Sequence, residues 1–217
     1  MALALFDLDN TLLNGDSDYL WGCFLIERDL VDGDLYEKEN QRFYDQYLDG
    51  SLDIHEFLRF QLKPLASYPR ARLEQLRAQY LRDKIEPILL PKAHALLERH
   101  RAQGDELVII TATNDFITAP VATRYGVNNL LATQAEMSDG EYTGRVSGVP
   151  CFQEGKVQQL ESWLGTHNTD LAGSWFYSDS HNDLPLLERV DNPVAVDPDD
   201  KLRSQATARG WPIISLR

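Results

Sequence analysis

The chain has 217 residues, of which 43% are hydrophobic and 25% are charged, the composition of an ordinary globular protein. Its 21 Lys and Arg residues stand against 34 Asp and Glu residues, and the net charge of −13 disfavours nucleic acid and anionic lipid as partners. A small phosphorylated ligand would also be repelled, so a phosphate site on this chain needs a metal ion, backbone amides or placed cations.

Neither a membrane segment nor a disulfide framework is predicted. No uninterrupted apolar stretch reaches the roughly 18 residues of a membrane helix, and the residues before Asp7 lack the basic flank of a signal peptide. Cys23 and Cys151 are too few for a disulfide scaffold and do not form a metal-binding cluster. We therefore expect a cytoplasmic protein with reduced cysteines. The composition leaves its oligomeric state open.

Short apolar runs alternate with helical stretches along most of the chain. Helices are predicted over Ala93–Gln103, closed by Gly104, and over Lys156–Leu164, closed by Gly165. An Asp139-Gly140 pair between alternating residues predicts a hairpin. Strands that alternate with helices favour an α/β fold with a Rossmann-like, doubly wound parallel sheet. The runs that predict buried strands are Ala2–Phe6, Glu106–Ile110, Ser174–Tyr177 and Pro193–Val196, with a weaker fifth at Pro212–Leu216.

The segment 14–87 departs from this pattern. Aromatic and charged residues recur there at helical spacing without a strand-like run, and Pro64 and Pro69 break the segment into pieces. We interpret residues 14–87 as an inserted α-helical cap, and residues 1–13 together with 88–217 as the catalytic core. Because the insertion follows the first strand directly, it is placed to cover that strand's carboxyl end.

Polar clusters begin where three of the predicted strands end. Asp7–Thr11 follows the first strand, Thr111–Asn114 follows the second, and Ser178–Asp183 follows the third. In open α/β sheets the carboxyl edge of the strands is where ligands bind. The three clusters are therefore expected to converge on one site.

Four aspartates belong to these clusters, and together they predict a metal site. Carboxylates that meet within a few ångströms repel one another unless a cation joins them or their pKa values shift. Ligands that are all oxygen favour Mg²⁺, which binds one or two carboxylates and also contacts a substrate phosphate. The four are Asp7, Asp9, Asp179 and Asp183.

Phosphoryl transfer needs a nucleophile, positive charge around the phosphate and a proton for the leaving alcohol. Asp7 is the candidate nucleophile, because a carboxylate can form an aspartyl phosphate. Asp9 is the candidate general acid, and then the base for the hydrolytic water. Thr111 and the amides that follow it from Ala112, at a helix start, are expected to hold phosphate oxygens, and Lys156 adds a charge.

Taken singly, these residues have ordinary structural interpretations. An Asp at a strand end is more often a helix cap than a catalyst, and a lysine that begins an amphipathic helix is usually a solvated surface residue. The order of the motifs along one chain supports the catalytic interpretation.

That order resembles a known family. Asp7-x-Asp9-x-Thr11, Thr111 after an apolar strand, Lys156 and Asp179-x-x-x-Asp183 are similar to the four ordered motifs of the haloacid dehalogenase (HAD) superfamily, over nearly the whole chain. The helical insertion between the first and second motifs, and the Asp139-Gly140 hairpin, resemble its phosphoserine phosphatase-like branch. The resemblance implies a phosphatase of small metabolites.

The resemblance also implies a ligand set for the metal. Mg²⁺ would be held by Asp7, the backbone carbonyl of Asp9, and Asp179. Asn182 and Asp183 would support these ligands.

The chain departs from phosphoserine phosphatases near the reacting centre. Ala112 and Thr113 replace glycines of their second motif. Ser178, Ser180 and His181 stand where their fourth motif has Gly and Ala. Backbone amides that bind phosphate do not depend on these side chains, but the larger residues leave less room. The substrate can therefore differ from phosphoserine while the chemistry stays the same.

Cap residues suggest what that substrate is. Asp16 stands where the phosphoserine phosphatases that this chain resembles carry a Glu, which holds the substrate amine. Asp16 and Asp18 are therefore expected to face an ammonium group of the substrate. Arg59 falls near their carboxylate-binding Arg, with a surface role as an equal alternative. The fourth motif resembles that of the histidinol phosphatases of this branch, so L-histidinol phosphate is the first candidate substrate. Phosphoserine is the second, favoured if Arg59 lines the pocket.

A phospho-accepting receiver domain is the alternative of another class, because it combines an acidic magnesium site with a phosphorylated Asp, a Thr and a Lys. Such a domain has no cap. The insertion at 14–87 and the second carboxylate at Asp9 favour turnover over a long-lived phospho-Asp.

Overall fold

A seven-stranded sheet forms the centre of the computed structural model, which describes residues 2–217. Its strands are β1 (Leu3–Phe6), β2 (Glu106–Asn114), β3 (Asn129–Ser138), β4 (Glu141–Ser147), β5 (Trp175–Ser178), β6 (Asn192–Val196) and β7 (Ile213–Ile214). They lie in the order β4-β3-β2-β1-β5-β6-β7. β4 runs antiparallel to β3 at one edge, and the other pairings are parallel. β1 is therefore central, with its carboxyl end between those of β2 and β5.

Helices lie between the strands and in the long insertion after β1. They are α1 (Ser17–Ile26), α2 (Gly33–Asp49), α3 (Ile54–Leu62), α4 (Arg70–Tyr80), α5 (Pro91–Gln103), α6 (Asp115–Arg124), α7 (Glu154–His167), α8 (Leu184–Leu187) and α9 (Asp200–Arg209). Helices α1 to α4 form the cap. Among the described residues, no helix combines the length and apolar character needed to span a membrane.

The sheet is covered on both faces, as a doubly wound fold requires. Along β1, Leu3 and Leu5 pack with residues of α7, α8 and α9, while Ala4 and Phe6 pack with residues of α5, α6 and the cap. Successive side chains of a strand point to opposite faces, and each large apolar side chain buried this way contributes about 1.5–3 kcal/mol. The predicted fold class, a Rossmann-like core with an inserted helical cap, is confirmed.

The strands differ from the prediction mainly in β2 and β3. β2 continues past Ile110 to Asn114, because its end pairs with β3, a strand that the apolar pattern did not predict. The predicted hairpin joins β3 to β4, and its turn residues Asp139 and Gly140 both have positive φ, 52° and 83°. Two such residues are typical of the type I′ turn, which matches the twist of the strands.

One of the two predicted helix ends is correct. α5 is closed by Gly104 in the left-handed conformation, with φ 79°. α7 instead continues through Gly165 to His167, and Asn168, with φ 51°, closes it. Asn is the residue that sometimes replaces Gly in this conformation, and a glycine inside a helix costs only about 1 kcal/mol relative to alanine.

The two connections between cap and core run side by side. Leu13 and Leu89 form an isolated antiparallel bridge, and the Asn14 amide donates to the Ile88 carbonyl at 2.9 Å. We propose this junction as the domain boundary, with residues 14–87 as the cap.

Candidate active site

Hydrogen bonds join the segments that follow β1, β2 and β5 at the carboxyl edge of the sheet. The Thr11 hydroxyl, after β1, lies 3.1 Å from Asp7 Oδ2 and 3.2 Å from Asp179 Oδ1, after β5. Thr113, near the end of β2, donates to Asp9 Oδ2 at 2.7 Å. The polar clusters that the sequence analysis expects to converge therefore lie together.

Lys156 carries the positive charge of the site. Its Nζ lies 2.8 Å from the carboxylates of Asp7 and Asp183, and the side chain is only 3% exposed. Burial alone would lower the pKa of Lys156, but the Asp183 and Asp7 carboxylates raise it above its usual value, so the ammonium stays charged. The surface role that the sequence alone would favour for this lysine does not apply.

The position of Lys156 depends on Gly155. A Cβ added to Gly155 would lie 1.9 Å from the carbonyl oxygen of Pro150, so the first turn of α7 can approach that backbone only with glycine here. The helix then carries Lys156 directly into the site.

Asp7 is buried against this lysine. Burial raises the pKa of Asp7 to about 7; the Lys156 ammonium opposes this effect, and the Asp183 and Asp9 carboxylates add to it. The ion pair therefore favours the ionised form of Asp7, which is the form that can attack an electrophile.

Asp9 is held through both of its oxygens. The Ser17 amide, at the start of α1, donates to Oδ1 at 2.6 Å, and the Thr113 hydroxyl donates to Oδ2 at 2.7 Å. Burial and the nearby Asp16 carboxylate raise the pKa of Asp9 to about 6, despite these hydrogen bonds. A carboxyl group with such a pKa can both donate and accept a proton near neutrality.

The carboxylates of Asp7 and Asp179 lie on either side of one hydroxyl group, that of Thr11. A hydroxyl has one proton and cannot donate to both at once. Burial, together with the Asp7 and Asp183 carboxylates, raises the pKa of Asp179 well above its usual value. Buried acceptors that lack enough donors fit a bound cation.

The ligand set that the family resemblance implies for Mg²⁺ suits this arrangement. It consists of Asp7, Asp179 and the backbone carbonyl of Asp9, which are all oxygen donors. Within residues 2–217, no group of three or more His, Cys, Asp or Glu side chains is arranged to hold a metal. The implied set contains only two carboxylate side chains, so it does not need such a group.

The two residues expected to support the metal have different partners. Besides its ion pair with the lysine, Asp183 accepts a hydrogen bond from Ser178 Oγ at 2.7 Å. Asn182 Oδ1 accepts from Gln153 Nε2 at 2.9 Å, and its Nδ2 donates to the backbone oxygen of Tyr47 at 3.3 Å. Asp183 thus orients the lysine, whereas Asn182 connects the core to α2 of the cap.

Thr111 and Ala112, the candidate phosphate-binding residues, line the cavity beside Asp7 and Asp9. The helix that was expected to start directly after Thr111 begins at Asp115 instead, because β2 extends along β3. The amides in question therefore lie in the irregular end of a strand, where the pairing register shifts, rather than in a helix N-terminus.

The cap end of this cavity is acidic and aromatic. Of the described residues, Lys156 is the one Lys or Arg in the lining. Cap residues in the lining include Asp16, Asp18, Asn40, Phe43, Tyr44 and Phe57.

Asp16 lies in the cavity lining, as expected of a substrate-binding residue, but it also has a structural role. It is the N-cap of α1, and its Oδ1 accepts hydrogen bonds from the amides of Asp18 and Tyr19, both at 2.9 Å. Part of its carboxylate is therefore already used by the helix.

Arg59 is not brought to the site. Its side chain is exposed on α3 and does not line the cavity. The reason is the helix period, because α3 turns Leu58 and Leu62 into the core of the cap and leaves Arg59 facing outward.

Sequence reasoning missed several polar side chains that position the carboxylates. Thr113 and Ser178 belong to the polar clusters that were expected to converge, but no role was predicted for them there; their hydroxyls donate to Asp9 and Asp183. Their place in polar clusters at strand ends was the available signal. Tyr47 lies on α2 of the cap and had no such signal. Its hydroxyl donates to Ser180 Oγ in the core at 2.7 Å.

Comparison with known proteins identifies the family. A sequence model of the haloacid dehalogenase-like hydrolases matches residues 4–188. The chain belongs to this family. This HAD chain is 43% identical over 219 residues to a histidinol-phosphatase of Neisseria meningitidis serogroup C, covering 99% of both proteins. It is 33% identical over 221 residues to a phosphoserine phosphatase of Mycobacterium tuberculosis, covering 100% of this chain and 71% of the relative.

Solved structures agree with the HAD fold. A protein of unknown function from Bordetella pertussis Tohama I superposes with a TM-score of 0.93 at 42% identity, covering 100% of this chain and 99% of that one. A phospho-aspartyl intermediate analogue of phosphoserine phosphatase superposes with a TM-score of 0.72 at 19% identity, covering 100% and 93% of the two chains, which shows the shared fold. The predicted enzyme class, a HAD phosphatase, is confirmed, and the receiver-domain alternative is set aside.

Proposed function

We propose that this HAD phosphatase is a Mg²⁺-dependent hydrolase of L-histidinol phosphate that acts through a phosphorylated Asp7. The observation that carries the substrate assignment is the lining of the cavity between the site and the cap. That lining has carboxylates and aromatic rings, and among the described residues Lys156 is its one Lys or Arg. Such a cavity suits a phosphate monoester whose other end is cationic and carries no carboxylate.

In the first step, a carboxylate oxygen of Asp7 attacks the substrate phosphorus. An O–P bond to Asp7 forms as the bond from phosphorus to the substrate alcohol oxygen breaks. Asp9, whose pKa is raised to about 6, gives its proton to the departing oxygen. Thr111 and Lys156 line the same cavity as Asp7, and there a hydroxyl and an ammonium can stabilise the charge of the phosphate.

In the second step, the ionised Asp9 removes a proton from a water molecule, which attacks phosphorus and breaks the bond to Asp7. Inorganic phosphate leaves and the free carboxylates return. Asp7, Asp179 and the backbone carbonyl of Asp9 would hold Mg²⁺, whose charge offsets that of the carboxylates and the phosphate. The cap limits the entry of other water while the phosphoenzyme exists.

The alternative substrate, phosphoserine, fits the cavity less well. It carries a carboxylate, which Asp16 and Asp18 in the lining would repel. Arg59, the cation that phosphoserine would need, is exposed elsewhere on α3. The 43% identity to a histidinol-phosphatase over the full chain supports the same choice.

A substrate panel tests this proposal. We expect kcat/KM for L-histidinol phosphate to exceed that for phosphoserine by at least about 100-fold, because a carboxylate is repelled and has no cation to meet it. Phosphate release would be measured with both substrates, phosphoethanolamine and sugar phosphates, with added Mg²⁺ and with a chelator. Equal or better turnover of phosphoserine, or full activity in the chelator, would contradict the proposal.

Gly155→Ala is expected to lower kcat/KM by about 100-fold. The added methyl group would collide with Pro150 and shift the start of α7, which carries Lys156. Misplacing a group at the reacting centre by about 1 Å has an effect of this size. Gly165→Ala, in the same helix, is the matched control. Outside its own helical turn, no atom of the described residues lies within 4 Å of its added Cβ, so activity should be unchanged and stability raised by up to about 1 kcal/mol. Phosphate release and thermal melting measure the two effects, and a fully active Gly155→Ala enzyme would refute this role.

A further inference from the structure

Asp18, the second residue of α1, is a buried carboxylate that has no hydrogen-bond partner within residues 2–217. Its side chain is 4% exposed, and neither carboxylate oxygen has a hydrogen-bond partner among the described residues. Burying a polar group without a hydrogen bond costs free energy, and an unpaired charge costs much more. Asp18 also lines the cavity that leads to the catalytic carboxylates. A ligand in that cavity can therefore supply the missing partner.

A second acceptor lines the same cavity and packs against α1 at Gly22, one helical turn after Asp18. Asn40, on α2, is 5% exposed, its Oδ1 has no hydrogen-bond partner within residues 2–217, and it lines the cavity with Asp18. Gly22 on α1 makes room for it, since a Cβ at Gly22 would lie 2.8 Å from Asn40 Nδ2. The unsatisfied atoms of both residues are acceptors, so the group that completes them must be a donor.

The electrostatics favour a donor with positive charge. Burial, with the Asp16 and Asp9 carboxylates, raises the pKa of Asp18 well above its usual value. Among residues 2–217, the cavity is lined by no Lys or Arg other than Lys156, which is paired with Asp7 and Asp183. A cation bound beside Asp18 would offset both the burial and the repulsion.

The aromatic residues of the lining suit the same ligand. Phe43 and Phe57, whose ring centroids lie 5.2 Å apart, line the cavity together with Tyr44. Aromatic faces attract ammonium and imidazolium groups and stack on flat heterocycles. Asp16 is less free to bind such a group, because its Oδ1 caps α1.

We propose that Asp18 and Asn40 form a substrate-binding subsite in the cap that takes an N–H-bearing cation, either the ammonium or the imidazolium of the substrate. The inference rests on the proposed function, in that the ligand is the far end of the phosphate monoester hydrolysed at Asp7. It assigns the selectivity of the enzyme to Asp18 rather than to Asp16 alone.

Asp18→Asn tests the subsite, because it removes the charge and keeps the shape. We expect kcat/KM for L-histidinol phosphate to fall by about 30-fold or more, mainly through KM, which corresponds to about 2 kcal/mol of binding free energy. The melting temperature should rise, since a buried unpaired carboxylate is removed. A residue needed only for folding would instead lower the melting temperature.

Substrate analogues locate the cation. Imidazolylpropyl phosphate lacks the amine of histidinol phosphate, aminopropyl phosphate lacks the ring, and propyl phosphate lacks both. If Asp18 binds the imidazolium, Asp18→Asn loses the preference of the wild type for imidazolylpropyl phosphate over propyl phosphate. If Asp18 binds the ammonium, Asp18→Asn loses the preference for aminopropyl phosphate over propyl phosphate. A variant that lowers kcat/KM for all four compounds by the same factor, or for none, would overturn the subsite.

Two further variants complete the test. Asn40→Leu should weaken the same preference by a smaller factor, about 5-fold, because one neutral acceptor is lost. This variant keeps the inference testable if Asp18→Asn does not fold. Asp34→Asn, an exposed aspartate in the first turn of α2, should match the wild type. Failure of the proposed function would appear differently, as a wild-type enzyme that hydrolyses propyl phosphate as well as histidinol phosphate.

Discussion

Asp7→Asn is expected to abolish phosphate release, with kcat lowered by at least about 10⁴-fold, because an amide cannot form the acyl phosphate through which the reaction proceeds. The fold should survive, since Lys156 keeps its 2.8 Å ion pair with Asp183. Phosphate release from saturating L-histidinol phosphate measures the loss, and circular dichroism reports whether the variant is folded.

A matched control for this variant is Asp139→Asn. Asp139 is exposed at the turn of the β3–β4 hairpin with φ 52°, a conformation that Asn also adopts readily. Its kcat should equal that of the wild type. A folded Asp7→Asn enzyme that retains more than about a tenth of the wild-type rate would assign the nucleophile to another residue, since loss of an essential nucleophile costs far more.

Asp9→Asn is expected to trap the phosphoenzyme. With p-nitrophenyl phosphate, whose leaving group departs without a proton, Asp7 can still be phosphorylated. Breakdown of the intermediate then lacks its base and should slow by about 10²–10⁴-fold. Intact-protein mass spectrometry after an acid quench should show one added phosphoryl group, located on Asp7 by peptide mapping.

Thr113→Val distinguishes the contribution of the Asp9 carboxyl group itself from the contribution of the hydrogen bond that orients it. The substitution removes the 2.7 Å hydrogen bond to Asp9 but leaves its proton chemistry. We expect a smaller fall in kcat and much less trapped phosphoenzyme than in Asp9→Asn. Full activity of Asp9→Asn, with no phosphoenzyme, would be incompatible with the acid–base assignment.

Most of the core fold was predictable because its signals are local. A buried parallel strand is an apolar run of a few residues, and the segments that form β1, β2, β5 and β6 contain short, continuous runs of this kind. β3 escaped prediction because it begins with Asn129 and takes its shape from pairing with β2 and β4. Strand pairing depends on a partner distant in sequence, which no local pattern reports.

The convergence of the polar clusters at one edge of the sheet was also largely predictable. Asp7, Asp9 and Thr11 follow one strand directly, so a single local motif places three polar side chains at one strand end. Lys156 was identified only by its order among the motifs. Its burial against Asp7 and Asp183 depends on the close approach of Gly155 to Pro150, a steric condition that arises between separate parts of the chain.

The substrate end of the site was not predictable to the same degree. Asp16 and Asp18 are the same residue type two positions apart. Asp16 caps α1, whereas Asp18 is buried and has no hydrogen-bond partner in the part of the chain that the structure describes. Arg59 has the right residue type at about the right position, but the orientation of α3 leaves it exposed. Small rotations of cap helices decide which side chains reach the cavity.

The amino-acid sequence by itself determined the family, the fold class and the enzyme class of this HAD phosphatase, because strand-forming runs and the residues directly after them are read from neighbouring positions. Only the tertiary structure decided which buried polar atoms have hydrogen-bond partners within the protein and which do not. Hydrogen bonding and burial are set by contacts such as that of Gly22 with Asn40, across two helices, and these exist only once the chain has folded.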